Sequence, residues 1–352
     1  MLDRFAYTTL PARIVFGAGM VAQLAGEIET LGCHRLLLVS TPGQRDKAQA
    51  IAEPLERRIA SHFGHATMHT PVEVTEAALA EFRDVDADGV LAFGGGTAVG
   101  LAKAIALHAR CPQAIVATTY AGSEVTPVLG QTAAGMKTTM RDPRLLPDLV
   151  LYDPALTLDL PLPTSITSGF NAIAHAVEAL YAPDRNPVSS LMALEGARAM
   201  VEALPRIVAD PLHLPARTRA LYSAWLCGTV LGAVGMSLHH KLCHTLGGSF
   251  GLPHADVHTV ILPHALAYNT PAAVAELAPL AQALGDDPAQ ALHRLARNLG
   301  APTSLAALGM AESDIDRAAT LATQNTYPNP RPVERGPIRD LLARAWQGEQ
   351  PA

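Results

Sequence analysis

Six of the chain's 14 histidines lie between positions 239 and 264: His239, His240, His244, His254, His258 and His264. His240 and His244 are four apart in Leu238-His239-His240-Lys241-Leu242-Cys243-His244, so they share a face if this segment is helical. His254 follows a Gly251-Leu252-Pro253 turn. Upstream, Asn171 and His175 are also four apart in a segment of helical period, with Glu178 one turn further on. Two such pairs on separate helices, with a third histidine, can converge on one site. That chemistry suits a divalent metal, or, without metal, a proton donor or carbonyl polariser. His239, His258 and His264 read as supporting or structural rings.

A second group of residues points to a nucleotide. Phe93-Gly94-Gly95-Gly96-Thr97-Ala98 links an apolar run, Gly89 to Phe93, to a helical pattern over Ala98 to His108. Consecutive glycines let a diphosphate approach the main chain, and free amides at a helix N-terminus face the anion. Thr118-Thr119-Tyr120-Ala121-Gly122-Ser123-Glu124 follows the next apolar run, where ligands of open α/β sheets sit. An earlier Gly17-Ala18-Gly19-Met20-Val21-Ala22 fits the dinucleotide fingerprint only loosely. The acidic residue due ~20 positions later is missing, because the next strand ends Val39-Ser40-Thr41. That turn reads as structural.

The elements that must position these residues change character along the chain. Arg35–Val39, Gly89–Phe93, Ala114–Thr118 and Leu149–Tyr152 are continuous apolar runs of strand length, as expected of strands covered on both faces. Helical patterns over Asp46–Ser61, Thr75–Arg83 and Ala98–His108 alternate with them, which implies a parallel sheet. Beyond Pro161 the strand signal stops. Helical periods cover Thr164–Leu180, Pro187–Leu204, Arg217–Leu231, Val257–Asn269 and Pro288–Leu299, and a last helix is expected near Ile338–Trp346 after a Pro- and Arg-rich stretch from Tyr327 to Arg335. The fold class is therefore α/β followed by all-α, with domains at 1–158 and 159–352.

Composition narrows the function. The chain has 352 residues, 49% hydrophobic and 16% charged, too apolar for a disordered polymer. A net charge of -6 speaks against a nucleic-acid partner. The most apolar stretch, Leu226 to Met236, is far shorter than the ~20 residues that span a bilayer. The N-terminal stretch has no signal-peptide pattern, so a cytoplasmic location is expected. Cys33, Cys111, Cys227 and Cys243 are scattered, without CxxC spacing, and read as reduced thiols.

In order, the FGAG turn at Phe16–Gly19, Gly94-Gly95-Gly96-Thr97, Thr118-Thr119, Leu151-Tyr152-Asp153-Pro154, Asn171-xxx-His175, His240-xxx-His244-xx-Gly247 and Leu252-Pro253-His254 resemble the iron-type alcohol dehydrogenases along nearly the whole chain. Tyr120-Ala121-Gly122-Ser123-Glu124, His239 to His244 and Asn329-Pro330-Arg331-Pro332 look most like the maleylacetate reductase branch of that family. The resemblance implies a Rossmann-like NAD(P)-binding domain and a helical domain of dehydroquinate synthase type, with the site in the cleft between them. It places the pyrophosphate at Gly94, Gly95, Gly96 and Thr97, the nicotinamide side at Thr118 and Thr119, a cofactor contact at Lys137, and the adenosine ribose at Ser40 and Thr41. With no acidic residue at the ribose, NADH and NADPH both stay open. A homodimer is the expected assembly.

Metal-dependent members of the family use one Asp and three His. Here Asn171 stands at the Asp position, with His175, His240 and His254 at the other three. Gly100 stands where many of them carry Asp. A neutral amide is a weaker ligand than a carboxylate, so no metal requirement is expected. The branch implies NAD(P)H-dependent reduction of the conjugated C=C of maleylacetate, giving 3-oxoadipate. In that reaction a histidine stabilises an enolate, with His240 first and His244 and His175 assisting. Tyr120, Lys241 and Arg331 are candidates for holding the dicarboxylate. The alternatives are a metal-dependent alcohol or hydroxyacid dehydrogenase, a non-catalytic nucleotide-binding protein and a zinc-binding module.

Overall fold

The computed structural model describes residues 5, 7, 12–133, 136–285 and 287–352, and the side chains at 56, 136 and 137 lie outside that description. The chain divides into two compact units, Thr9–Leu160 and Pro161–Ala352.

The first unit is built on strands β1 (Arg13–Phe16), β2 (Leu36–Val39), β3 (Ile59–Phe63), β4 (Gly89–Gly94), β5 (Gln113–Ala117), β6 (Val128–Ala133), β7 (Met136–Arg141) and β8 (Leu149–Tyr152). Helices α1 (Leu24–Thr30), α2 (Arg45–Ala52), α3 (Val72–Asp84) and α4 (Gly96–Ala109) connect the earlier strands. Six strands form a sheet in the order β1-β8-β5-β4-β2-β3, every neighbouring pair parallel. β6 and β7 form a separate antiparallel hairpin. Alternate residues Leu36, Leu38, Leu91, Phe93, Val116, Leu149 and Leu151 pack into one core with Leu24 and Ile28. Their neighbours Leu37, Val39, Val90, Ala92, Ile115 and Val150 are also buried. Both faces are thus covered, which is why these strands read as unbroken apolar runs.

After β2 the chain turns towards β3, and after β4 it runs through α4 towards β5. The strand order therefore reverses between β2 and β4, and the loops leaving their carboxyl ends diverge to open a crevice. The helix expected over Asp46–Ser61 is shorter. α2 stops at Ala52, Glu53–Arg58 tightens into 3-10 turns, and Ile59–Phe63 is the edge strand β3. Pro54 has no amide to donate and cannot continue the helix. Ser61 on β3 then donates to Glu81 on α3.

The second unit is helical: α5 (Leu162–Tyr181), α6 (Pro187–Ala209), α7 (Leu214–Ala233), α8 (Leu238–Phe250), α9 (His254–Asn269), α10 (Val274–Leu284), α11 (Pro288–Asn298), α12 (Ile315–Ala322) and α13 (Arg335–Gln347). Leu242, Leu246, Val257, Ile261, Leu305, Ile315, Ile338, Leu341 and Leu342 form one core of this unit. α5 is buried along almost its whole length, so its polar residues must find partners inside the protein. Among the described residues no single helix is long and apolar enough to cross a membrane. The one consecutive pair that passes together, α7 and α8, is bent by 95°. The four cysteines are free thiols.

Candidate active site

The first unit places its glycine run at the β2/β4 crevice. Gly94 ends β4 with φ +145°, a conformation that suits glycine, and a Cβ there would lie 2.6 Å from Gln44 Oε1. A Cβ on Gly95 would meet Thr119 Cγ2 at 2.6 Å. Two of the three glycines are thus required by the protein's own packing. Gly95 is the N-cap of α4 and supplies no side-chain cap, so the amides of this 14-residue helix's first turn are left to a ligand. Ser123 Oγ sits 3.6 Å from where a Gly96 Cβ would be, and is buried with no partner among the described residues. Gln44 Nε2 donates to Thr118 Oγ1 at 3.1 Å and so ties the loop after β2 to the loop after β5.

Other expected positions have different roles. Ser40 is fully buried, with Oγ 2.8 Å from His62 Nε2, and Thr41 alone of that pair stays half-exposed. Burial, then the nearby Arg45 guanidinium, lowers the His62 pKa. Tyr120, in the nucleotide unit, is wholly buried. The Lys137 side chain lies outside the described residues. The Thr70 hydroxyl fills the space a side chain at Gly100 would need. The Gly17–Gly19 turn is structural: Asp153, fully buried, accepts from Gly19 N and Val21 N, both at 3.1 Å. Those amides are spent on a carboxylate of the protein.

The second unit brings the histidines together. α5 carries Asn171, His175 and Glu178, α8 carries His239, His240, Lys241, Cys243 and His244, and α9 carries His254 and His258. The His175 and His240 rings stack with centroids 5.1 Å apart, His240 and His244 are 6.1 Å apart, and His244 and His254 lie nearly parallel at 6.2 Å. Two i,i+4 pairs on separate helices therefore converge. Their organiser is Glu178, which is completely buried. It accepts from Ser237 N (2.7 Å) and His239 N (2.6 Å), satisfying amides at the start of α8, and from His240 Nδ1 (2.6 Å). That last bond fixes the His240 ring and turns its Nε2 inward, where it has no partner among the described residues. Asn171 Oδ1 and His175 Nδ1 are likewise buried and unpartnered there. Burial, followed by His240 and His254, holds the His175 pKa well below the usual range, so this ring is neutral.

His239 and His258 belong to the cluster but serve as its backing. His239 Nε2 lies 2.9 Å from His258 Nδ1, and His258 Nε2 lies 3.2 Å from His254 Nε2. Cys243 completes a buried trio with them, but burial keeps its thiol protonated. His264 stands apart, packed against His293 of α11. The half-buried Arg331 holds its guanidinium 4.1 Å over the Tyr268 ring and donates to Tyr268 O at 3.2 Å. Lys241 is half-buried, with Nζ 5.9 Å from the Tyr327 ring centroid.

Tyr327 was not singled out from the sequence. Its hydroxyl is 3.0 Å from His244 Nδ1. The segment after it is tied down by Ser237 Oγ, which donates to Pro328 O (2.7 Å), and by paired amide bonds between Asn269 and Asn329 (2.8 and 2.7 Å). No periodicity marks a loop tyrosine that reaches a helix 83 positions away.

Known proteins match this arrangement. Residues 11–154 match the family model for iron-containing alcohol dehydrogenases, and residues 165–346 match the C-terminal model of the same family. The chain belongs to the iron-containing alcohol dehydrogenase family. It is 57% identical to the maleylacetate reductase of a Rhizobium species over 350 residues, 99% of this chain and all of that one. It is 50% identical to maleylacetate reductase 1 of Cupriavidus pinatubonensis, covering 99% of each. The crystal structure of maleylacetate reductase from Agrobacterium tumefaciens superposes with a TM-score of 0.97 at 57% identity, covering 99% of this chain and 100% of that one.

The family's name implies a metal, and the donor set here is a weaker one for a divalent ion than a set that includes a carboxylate. The four positions offer one neutral amide, Asn171, and three imidazoles, His175, His240 and His254. The nearby carboxylate, Glu178, already spends its oxygens on two amides and His240 Nδ1. A dication at this point would have no anionic protein ligand.

Proposed function

We infer that the chain is a maleylacetate reductase, an oxidoreductase that uses a nicotinamide cofactor to reduce the C=C bond conjugated to the ketone of maleylacetate, giving 3-oxoadipate in aromatic-compound degradation. The observation that carries the chemistry is the pairing of His244 with Tyr327 beside the Glu178–His240 pair, on a chain 57% identical to a maleylacetate reductase over its full length.

The cofactor's contribution is a hydride. The chain must hold the dinucleotide, bind a dianion and manage charge and proton. Amides of Gly96 and Thr97 at the start of α4, with the Ser123 hydroxyl, suit the pyrophosphate. Thr118 and Thr119 suit the nicotinamide side. Thr41, with no carboxylate at the ribose position and Arg45 nearby, supports acceptance of NADPH as well as NADH. Hydride addition to the alkene drives negative charge onto the ketone oxygen. A ring N–H can bond that enolate and then deliver a proton to carbon.

His244 fits the donor role better than His240. Burial holds the Tyr327 pKa up, so its hydroxyl stays protonated and can donate to Nδ1. With Nδ1 accepting from Tyr327, the His244 proton sits on Nε2. His240 is arranged the other way: its Nδ1 proton is held by Glu178, and no hydroxyl donor among the described residues sets its Nε2 as the proton-bearing atom. His240, His175, His254 and Asn171 then shape the polar pocket. Lys241 supplies positive charge for a substrate carboxylate. No step requires a metal, consistent with the uncharged donors at Asn171, His175, His240 and His254. A cytoplasmic homodimer is part of the same reading.

The test is product analysis. Purified enzyme with NADH and maleylacetate should consume one NADH per 3-oxoadipate formed. NADH consumption with short aldehydes or ketones, but none with maleylacetate, would replace this reading with that of an alcohol dehydrogenase.

A further inference from the structure

Lys103, two turns into α4, is 1% exposed, and no step above uses it. Lysine is almost never fully buried without partners. Its Nζ donates to Ser123 O at 2.5 Å, Thr126 O at 2.7 Å, Thr126 Oγ1 at 3.0 Å and Val128 O at 3.0 Å. A neutral amine has only two hydrogens to offer, so a shell of four oxygens suits an ammonium. Burial pulls its pKa down to about 7, opposed by the nearby Glu124. Glu124 is itself buried, which raises its pKa, and it accepts from Tyr152 OH at 2.8 Å. Three main-chain carbonyls and a hydroxyl around one positive centre form the kind of shell that coordinates a monovalent cation. Here the cation is attached to the protein.

The placement gives this shell a purpose. α4 offers its first amides to the pyrophosphate, and the same helix grips Ser123 to Val128 two turns later. That stretch continues directly from Thr118 and Thr119. We propose that Lys103 is a positioning residue, a tethered cation that fixes the Thr118–Thr126 loop against α4 so that the pyrophosphate and the nicotinamide of the bound dinucleotide meet one rigid frame. The proposal rests on the dinucleotide role given to this unit above.

The test uses full-length enzyme and NADH binding followed by nicotinamide fluorescence, which needs no organic substrate. Failure of the unmodified enzyme to bind NADH would overturn the functional reading itself. Lys103→Ala should weaken NADH binding about tenfold or more while leaving the KM for maleylacetate unchanged. Propylammonium, which replaces the atoms removed, should restore binding, and the neutral propanol should not. Lys103→Met, which fills the space without charge, should bind as weakly as Lys103→Ala. Normal binding by Lys103→Met, equal rescue by propanol, or a loss that propylammonium leaves unchanged would each overturn the proposal. Thr126→Val removes one oxygen of the shell and keeps the charge, so it guards against variants that fail to fold. It should weaken NADH binding a few-fold, and unchanged binding would overturn the proposal.

Discussion

His240 and His244 sit one turn apart on α8, yet their Nδ1 atoms meet different groups, a carboxylate and a phenol. Their spacing showed that they share a face, but only the partners rank them. His244→Ala should lower kcat by about 10²–10⁴, the usual contribution of a general acid. Tyr327→Phe should keep substrate binding and lower kcat less, because the ring stays but loses its fixed tautomer. Steady-state kinetics of both variants check this, and equal activity of His244→Ala and wild type would refute the assignment. Asn171 gives a second residue-level prediction. Asn171→Asp restores an anionic donor beside His175, His240 and His254, and should raise Zn²⁺ affinity by about tenfold or more, measured by calorimetry. Unchanged affinity would mean that the missing charge is not what distinguishes this site. The histidines, Asn171 and Glu178 were legible because helical spacing places them. Tyr327 was not, because a loop's reach depends on tertiary ties such as Asn269–Asn329. Arg331, a candidate for the substrate by its charge, stacks on Tyr268, a contact that no helical spacing indicates.

At the scale of elements, two glycine motifs that look alike in sequence have opposite uses. The turn after β1 gives its amides to Asp153, whereas the turn after β4 leaves the start of α4 without a side-chain cap. Asp153→Ala should strand those amides and cost about 1–3 kcal/mol of stability with little change in NADH affinity. Chemical denaturation and NADH titration separate the two effects, and a large loss of affinity at full stability would contradict the assignment. The sequence distinguished the motifs by number of glycines and by the missing acidic residue, but Asp153 lies 134 positions from Gly19 and could not be paired with it. The strong parallel strands were legible because both their faces are buried. β3 was not: Ile59–Phe63 carries Ser61 and His62 and follows a helical stretch that Pro54 ends. The β6–β7 hairpin is also polar, and it lacks the apolar runs that mark the central sheet.

For the molecule as a whole, the cost of burying so many imidazoles should appear in acid. His264 is 2% exposed, and burial, with His293 and Arg344 nearby, pulls its pKa down to about 3. Above about pH 6.5 neither the folded nor the unfolded ring is charged. Below it, the unfolded ring takes up a proton that the folded one refuses, so stability falls as pH drops from about 6.5 towards 3, by up to about 1.4 kcal/mol per unit for one such group. Urea unfolding at pH 7 and pH 5 should show the loss, and His264→Gln should reduce its slope. A slope unchanged by that substitution would assign the acid sensitivity elsewhere. The division into a nucleotide-type sheet unit and a helical histidine unit was legible from the composition change near Pro161. The histidine unit is expected to perform this reduction without a metal. The decisive measurement is to strip the enzyme with a strong chelator, measure residual metal by mass spectrometry, and follow NADH oxidation with maleylacetate. Undiminished turnover at far less than one metal per chain is the predicted result. Activity that disappears on stripping and returns with one equivalent of iron or zinc would contradict it.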